Sequence, residues 1–407
     1  MQLVERHVIK PADPRFAVID QAAFASKNLY NAANYVVRQS FIHDGVYLDY
    51  HEMHRRMKDH EAYQALPAKV AQWVLRLLDK NWQSYFAART AWEADPAKFL
   101  GHPKLPGYKD KRHGRNLLVY TTQALSVPAL RQGVIAPSML GISVRTRQQP
   151  HTVQQVRIIP RTGFYVVEVI YERELVQAKV DPALHAGVDI GLNNLATLTS
   201  DKPGFVPRIV NGRPVKSINQ FYNKRRAEWQ SLLGEAGDAH TSRRLERLTT
   251  TRTRRIDWYL HTASRRIIDL LVAEGIGTLC IGQNPLWKQQ VNLGKRNNQN
   301  FVSVPHTRFI AMLTYKAALV GIQVHITEES YTSKASFLDA DPLPVYGDAV
   351  IPAFSGRRVK RGLYRAADGR HINADVNGAY NIIRKVAPDA FAQGSRGCVV
   401  HPMRLAA

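Results

Sequence analysis

Acidic residues stand at three places where the surrounding sequence would ordinarily carry an apolar or neutral side chain. Asp189 lies inside GVDIGLNNLATL, a run whose Val188, Ile190, Leu195, Ala196 and Leu198 suit a buried strand. Glu328 and Glu329 close the strand-like QVHITEE, and Asp375 opens the helical DVNGAYNIIRKV. Strand ends and helix starts converge at one edge of an α/β sheet, so these acids can meet there. Carboxylates within a few Å of each other cannot all ionise cheaply without a cation. A hard divalent ion such as Mg²⁺ matches an all-oxygen donor set. Two such ions about 4 Å apart would activate a water and stabilise the leaving oxygen in phosphodiester cleavage. Each acid also has a plainer reading, Asp189 as a strand-end residue and Asp375 as a helix N-cap. Strand alternation lets only one of Glu328 and Glu329 face such a site.

The elements that must position these acids follow from hydrophobic period. LHAGVDIGLNNLATLTSD predicts a strand, a glycine-containing bend and a second strand. SRRLERLTTTRTRRIDWYLHTASRRIIDLLVAEGI predicts a long basic helix, with Ile256, Tyr259, Leu260, Ala263, Ile267 and Leu270 as its apolar stripe. A strand at TLCIG, a helix at TRFIAMLTYKAALVGI and a strand at QVHITEE come next, so the chain from Asp181 onward reads as an α/β domain.

The first 180 residues have another texture. Residues 1–18 form a strand pair at most. Helices are expected in DQAAFASKNLYNAANYVVRQSF and in LPAKVAQWVLRLLDKNWQSYF, where Val70, Trp73, Val74, Leu77, Leu78 and Trp82 recur at three- and four-residue steps. GHPKLPGYKDKRHGRN then breaks the helix, and its Lys104, Lys109, Lys111 and Arg112 surround Tyr108. A basic loop with one aromatic suits a phosphate backbone with an unstacked base, and equally a solvated linker. VQQVRIIP and FYVVEVIYER read as two strands joined at RTG, with Gly163 free to take a positive φ. Short strands of this kind suggest a small barrel or sandwich carrying a helical insertion.

Composition names the kind of partner. Lys plus Arg number 56 against 33 Asp plus Glu, for a net charge of +23 over 407 residues. So large an imbalance is self-repulsive unless a polyanion neutralises it. No apolar run approaches the roughly 20 residues that span a bilayer, and MQLVERHVIK does not read as a signal peptide. Cys280 and Cys398 are the only cysteines, too few for a disulfide framework or a cysteine zinc site. The 15 histidines include no HxH or HxxxH pair. A cytoplasmic protein that handles nucleic acid is expected.

These residues resemble a known family. GVDIGLNNLATL is similar to the first motif of the RuvC-type nuclease domain, an RNase H-like fold, and NADVNGAYNIIRK to its third motif as found in TnpB proteins of insertion-sequence transposons and in type V CRISPR effectors. YTSKAS resembles the segment between them, and PKLPGYKDK a basic TnpB stretch. The resemblance implies a wedge-like β-barrel at 1–18 and 103–180, a helical recognition insertion at 19–102, and a RuvC-like domain at 181–407. It implies an RNA-guided, Mg²⁺-dependent DNA endonuclease that cuts double-stranded DNA next to a short flanking motif. Its partners would be a guide RNA from the transposon end and target DNA, bound by a monomer in the bacterial cytoplasm, at the nucleoid when on DNA.

Two departures bear on the site. Where the family's second RuvC motif carries a glutamate, this chain reads TLCIGQNPLWKQ, with Gln283 near that place. Some TnpB proteins and the related Fanzor proteins supply the acid from the next strand, in an E-x-Y-T-S-K pattern that Glu329–Lys334 fits. By this resemblance Asp189, Glu329 and Asp375 are the catalytic metal ligands, with Glu328 as the alternative to Glu329. The family's zinc ribbon has no counterpart cysteines, so residues 335–370 read as a degenerate insertion without structural zinc, a Pro- and Gly-rich loop whose Arg357 and Arg358 could contact phosphates. Trp287, Lys288, Lys295 and Arg296 fall where the family has a lid and could touch an RNA–DNA hybrid, and Asn377 could orient a carboxylate. Two other functions compete, a nuclease-inactive RNA-guided repressor and an RNase H-like transposase.

Overall fold

Period-two alternation builds the strands of the first unit and period 3.6 its helices. A computed structural model describes residues 1–235, 237, 241–284, 294, 299, 302–392, 394 and 397–406, which divide into units of 1–173 and 174–407. In the first unit, β1 (Gln2–Ile9) leads into α1 (Phe16–Asp44), α2 (Tyr50–Met57), α3 (Glu61–Gln64) and α4 (Ala68–Ala94). There follow β2 (Leu118–Thr121), α5 (Val127–Arg131), β3 (Val134–Ile135), β4 (Val144–Arg145), β5 (Val153–Arg161) and β6 (Phe164–Glu172). Val153, Val156 and Ile158 are buried along β5 while Gln154 and Arg161 are exposed. The turn into β6 uses Gly163 at φ 79°, a left-handed conformation that costs glycine little.

The strands of this unit form an antiparallel sheet in the order β1-β6-β5-β2, with β3 and β4 as a separate ribbon. β1 thus pairs with remote β6, Gln2 opposite Glu172 and Ile9 opposite Tyr165, not with a neighbour inside residues 1–18. The sheet does not close into the expected barrel, since no pairing joins β1 to β2. The reason is burial. Trp82, Leu78, Leu29 and Val37 of α1 and α4 share one core with Leu118, Ile158 and Val167, so helices cover the face that a closing sheet would otherwise cover.

The second unit begins with β7 (Asp181–Asp189), β8 (Asn194–Ser200) and β9 (Arg208–Asn211), an antiparallel meander. Helices α6 (Arg213–Glu235) and α7 (Arg243–Ala273) lead to β10 (Ile276–Gly282), and α8 (His306–Ala318) leads to β11 (Gln323–Thr327). β12 (Arg357–Lys360), β13 (Leu363–Arg365) and β14 (His371–Asn373) form their own antiparallel sheet before α9 (Ala374–Val386) and β15 (Met403–Leu405). The main sheet runs β11-β10-β7-β8-β9-β15, with β10 parallel to both β7 and β11. Every residue of β10 is buried, the pattern of a parallel strand covered on both faces. The stripe Ile256, Leu260, Ala263 and Ile267 of α7 packs into a core with Leu279 and Ile281 of β10 and Phe309 and Leu313 of α8. α9 crosses β7 so closely that a Cβ at Gly187 would strike the Ala379 carbonyl.

This is a mixed α/β chain, and among its described residues no helix is long and apolar enough to cross a membrane. Four sequence expectations need correction. Asp189 is the last residue of its strand and does not lie within it. The first helix begins at Phe16. Arg357, Arg358 and Lys360 lie on a strand, not in a loop. The long basic helix is preceded by a second one, α6.

Candidate active site

Three elements end at one cavity. β7 delivers Asp189, the turn after β11 delivers Glu329, and the first turn of α9 delivers Asp375; all three line a cavity of about 370 Å³ with Asn194, Asn284 and Arg358. Asp375 is not the N-cap of α9. Asn373 caps it, its Oδ1 accepting the N–H groups of Asp375 and Val376 at 3.0 and 3.2 Å. The Asp375 carboxylate is therefore available to the cavity, where Oδ2 accepts from Asn194 at 2.7 Å and Oδ1 from Arg358 at 3.3 Å.

Glu329 and Glu328, both beyond the end of β11, diverge because each finds different partners. The Glu329 N–H donates to Asn284 Oδ1 at 3.0 Å, and its carbonyl accepts from the Thr332 hydroxyl at 2.8 Å. Gly282 of β10 leaves room for its carboxylate, since a Cβ there would stand 2.8 Å from Glu329 Oε2. Glu328 does not line the cavity; it accepts from Lys385 and from the Ser330 N–H, each at 2.5 Å.

Electrostatics separate the acids. Burial first, and then the charges of Asp375 and Glu329, push the Asp189 carboxyl up to about 8 against the opposing pull of Arg358. Burial and the neighbouring Glu328 push Glu329 up to about 7, with Lys385 opposing. Burial would raise Glu328 too, but the bonds from Lys385 and Ser330 outweigh it and hold that acid below its ordinary value. Acids that hold protons near neutrality are short of positive charge, and a cation supplies it. The donor set of carboxylates and amide oxygens suits a hard ion. Among the described residues, no three His, Cys, Asp or Glu side chains are drawn in to metal-binding spacing, and the Arg358 guanidinium stands beside Asp375 as the local positive charge.

The other residues singled out by sequence fall in several places. Lys104, Tyr108, Lys111 and Arg112 are exposed in the first unit. Their loop is pinned by Lys27 to the Lys111 carbonyl at 2.8 Å, by Asn31 to that of Lys109 at 2.9 Å and by Asn34 to that of Pro106 at 2.9 Å. Lys109 lies with its ammonium 4.8 Å from the Tyr30 ring, and Arg38 stacks 5.3 Å over Tyr108. Arg357 and Arg358 are exposed neighbours on β12, and of the two only Arg358 lines the cavity. Trp287, Lys288, Lys295 and Arg296 lie outside the described residues. Asn377 does not reach the acids; it is fully buried, donating to the Ala335 carbonyl at 2.8 Å and accepting from the Phe337 N–H at 2.9 Å. Sequence reading passed over Asn194 and Asn284. Their signal was proximity, in the bend after Asp189 and directly after Gln283.

Two stretches of the chain match known families. Residues 164–287 match the OrfB_IS605 family, described as a probable transposase, and residues 306–382 match the Cas12f1-like TNB domain. The TnpB-like protein ORF457 of Acidianus two-tailed virus is 24% identical over 397 residues, covering 88% of this chain and 81% of that protein. The CRISPR-associated endodeoxyribonuclease Cas12f2 of a Micrarchaeota archaeon is 26% identical over 234 residues, covering 54% of this chain and 40% of that protein. The cryo-EM structure of a Cas12f1–sgRNA–target DNA complex shares the fold, with a TM-score of 0.51 at 13% identity over 90% of this chain and 81% of that one. In its two domain matches and its viral relative, the chain is similar to TnpB and Cas12f-like proteins.

Proposed function

We propose that this protein is an RNA-guided DNA endonuclease of an insertion-sequence transposon, cutting double-stranded DNA beside a short flanking motif. The observation that carries the reading is the meeting of Asp189, Glu329 and Asp375, from three separate elements, on one cavity that also admits Arg358. In the account, Asp189, Glu329 and Asp375 would hold Mg²⁺, two ions in all. When bound, the metal lowers the pKa of a water and offsets charge on the departing 3′ oxygen. The chain's own residues do the rest. Asn194 fixes the rotamer of Asp375 through its 2.7 Å bond. Arg358, 46% exposed at its side chain, can leave Asp375 for a phosphate oxygen, which a guanidinium matches in geometry.

The guide would read sequence by base pairing while the protein holds the heteroduplex by its backbone. Residues 1–18 and 103–180 serve as the wedge and 19–102 as the recognition helices. Residues 181–407 serve as the nuclease, with 335–370 as its inserted segment. The basic loop with Lys104, Tyr108, Lys109, Lys111 and Arg112, and Arg357 with Arg358, contact nucleic acid. The particle is one protein chain with its RNA, working in the cytoplasm. The relatives named as an endodeoxyribonuclease and as a complex with sgRNA and target DNA support this reading.

The test is co-expression with the DNA flanking the gene, followed by incubation with a target plasmid library in Mg²⁺ or EDTA. Cleavage next to a fixed motif, abolished by EDTA and by Asp189→Ala, is the expected result. RNA-dependent binding without cleavage would instead make the protein a repressor, and joining of transposon ends without RNA would make it a transposase.

A further inference from the structure

Helix α9 carries polar side chains at Asn377, Asn381 and Lys385, a four-residue repeat that lines up on one helix face. All three grip the chain that follows β11. Asn377 donates to the Ala335 carbonyl, and Asn381 donates to the carbonyls of Thr332 and Ala335 at 2.9 and 2.8 Å. Lys385 donates to Glu328 Oε2 at 2.5 Å and to the Pro344 carbonyl at 3.3 Å. Between the first and last of these contacts the chain turns sharply, with Tyr331 at φ 63°. A non-glycine residue holds that conformation only where its surroundings fix it.

From this geometry we infer that Lys385 is a positioning residue that decides which of two adjacent glutamates reaches the carboxylate cavity. The inference deepens the nuclease reading and rests on it. Glu328 and Glu329 are chemically identical and one residue apart, so only what each finds on its own side distinguishes them. The Lys385 side chain is 7% exposed, which makes its carboxylate partner costly to remove. By holding Glu328 away from the cavity, it fixes the register that points Glu329 inward. The same α9 presents Asp375 in its first turn, so one rigid rod sets one acid directly and a second through Lys385. Without the pair, Glu328 is free to follow its neighbour or to displace it, and the turn is held only by the two asparagines.

The test compares RNA-loaded wild type with Lys385→Met, Lys385→Arg, Glu328→Gln and Lys385→Met/Glu328→Gln. Each variant is measured for target-DNA binding, melting temperature, single-turnover cleavage and the Mg²⁺ concentration giving half the maximal rate. A displacement of about 1 Å at a reacting centre costs on the order of 100-fold in rate. Lys385→Met is therefore expected to cut ~10- to 100-fold more slowly at saturating Mg²⁺, and to need more Mg²⁺, while its target binding stays within about twofold. Lys385→Arg keeps the ion pair and is expected to restore most of the rate. The double variant should be no slower than Lys385→Met alone, because Lys385 acts through Glu328. Wild-type cleavage by Lys385→Met overturns the inference, as does a double variant whose losses multiply. Loss of melting temperature and rate together in both Lys385 variants would show a merely structural residue and also overturns it. If wild type itself never cuts, the nuclease reading fails rather than this refinement of it.

Discussion

At the scale of single residues, the acids differ in what surrounds them. Asp189 and Glu329 are pushed up to about 8 and about 7, from ordinary values of 3.8 and 4.5, by burial first, and then by Asp375 and Glu329 in the case of Asp189 and by Glu328 in the case of Glu329. An acid whose folded value is raised contributes stability that is fully present below its unfolded value and lost as pH climbs through the folded one. Metal-free protein is thus expected to melt at progressively lower temperature between about pH 5 and pH 8.5. Asp189→Asn should flatten that fall, and an equal fall in the variant would remove Asp189 as its source. Mg²⁺ should raise the melting temperature more at pH 8.5 than at pH 5, where protons compete with it. Substitution separates the glutamates: Glu329→Ala should abolish measurable cleavage, while Glu328→Ala, which breaks the pair with Lys385, should lose no more than the ~10- to 100-fold expected of Lys385→Met. The converse pattern would move the site over by one residue. Asn194→Ala, which frees one oxygen of Asp375, should slow cleavage about tenfold with target binding unchanged.

At the scale of elements, each acid depends on how its strand or helix ends. Gly282 finishes β10 against Glu329, and an added methyl group would stand 2.7 Å from Ile382 Cδ1 and 2.8 Å from Glu329 Oε2. Gly282→Ala should cost about 1–3 kcal/mol of stability through overpacking, and most of the cleavage through displacement of Glu329. A variant that cuts normally would show that Glu329 is not held where the structure has it. Much of this level was legible in advance: β5 and β6, β7 and β8, α7, α8 and α9 all follow from hydrophobic period in the sequence. What was not legible has physical causes. α6 buries only Val215, Asn219 and Tyr222, so its period is too sparse to stand out. β12 reads RRVK and is exposed throughout, which removes alternation as a signal. The open sheet of the first unit could not be told from a barrel, because alternation reports that a face is buried and not what buries it. Asn377 illustrates the limit at the site, since nothing in DVNGAYNI separates a side chain that reaches carboxylates from one that pins a backbone turn. The cavity acids drew notice in the sequence, Asp189 inside an apolar run and Glu329 and Asp375 at a strand end and a helix start, though only the family resemblance preferred Glu329 to Glu328; their amide partners did not, because asparagine in a bend is ordinary.

At the scale of the whole molecule, a net charge of +23 sets conditions on any experiment. Nucleic acid should copurify with the protein, and affinity for it should fall linearly in log–log form with salt, by about 10³-fold or more between 50 and 200 mM for six or more phosphate contacts. A salt-insensitive affinity would mean that this charge is not spent on phosphates. The central claim is that three acids from β7, α9 and the turn after β11 work as one site on guided DNA. The most direct measurement is single-turnover cleavage and binding of a matched target by RNA-loaded wild type and by Asp189→Asn, Glu329→Gln and Asp375→Asn, in Mg²⁺ and in EDTA. All four proteins are expected to bind the target, and only wild type in Mg²⁺ to cut it. Tight RNA-dependent binding by wild type with no cleavage in Mg²⁺, or cleavage that survives loss of any one acid, would contradict that claim.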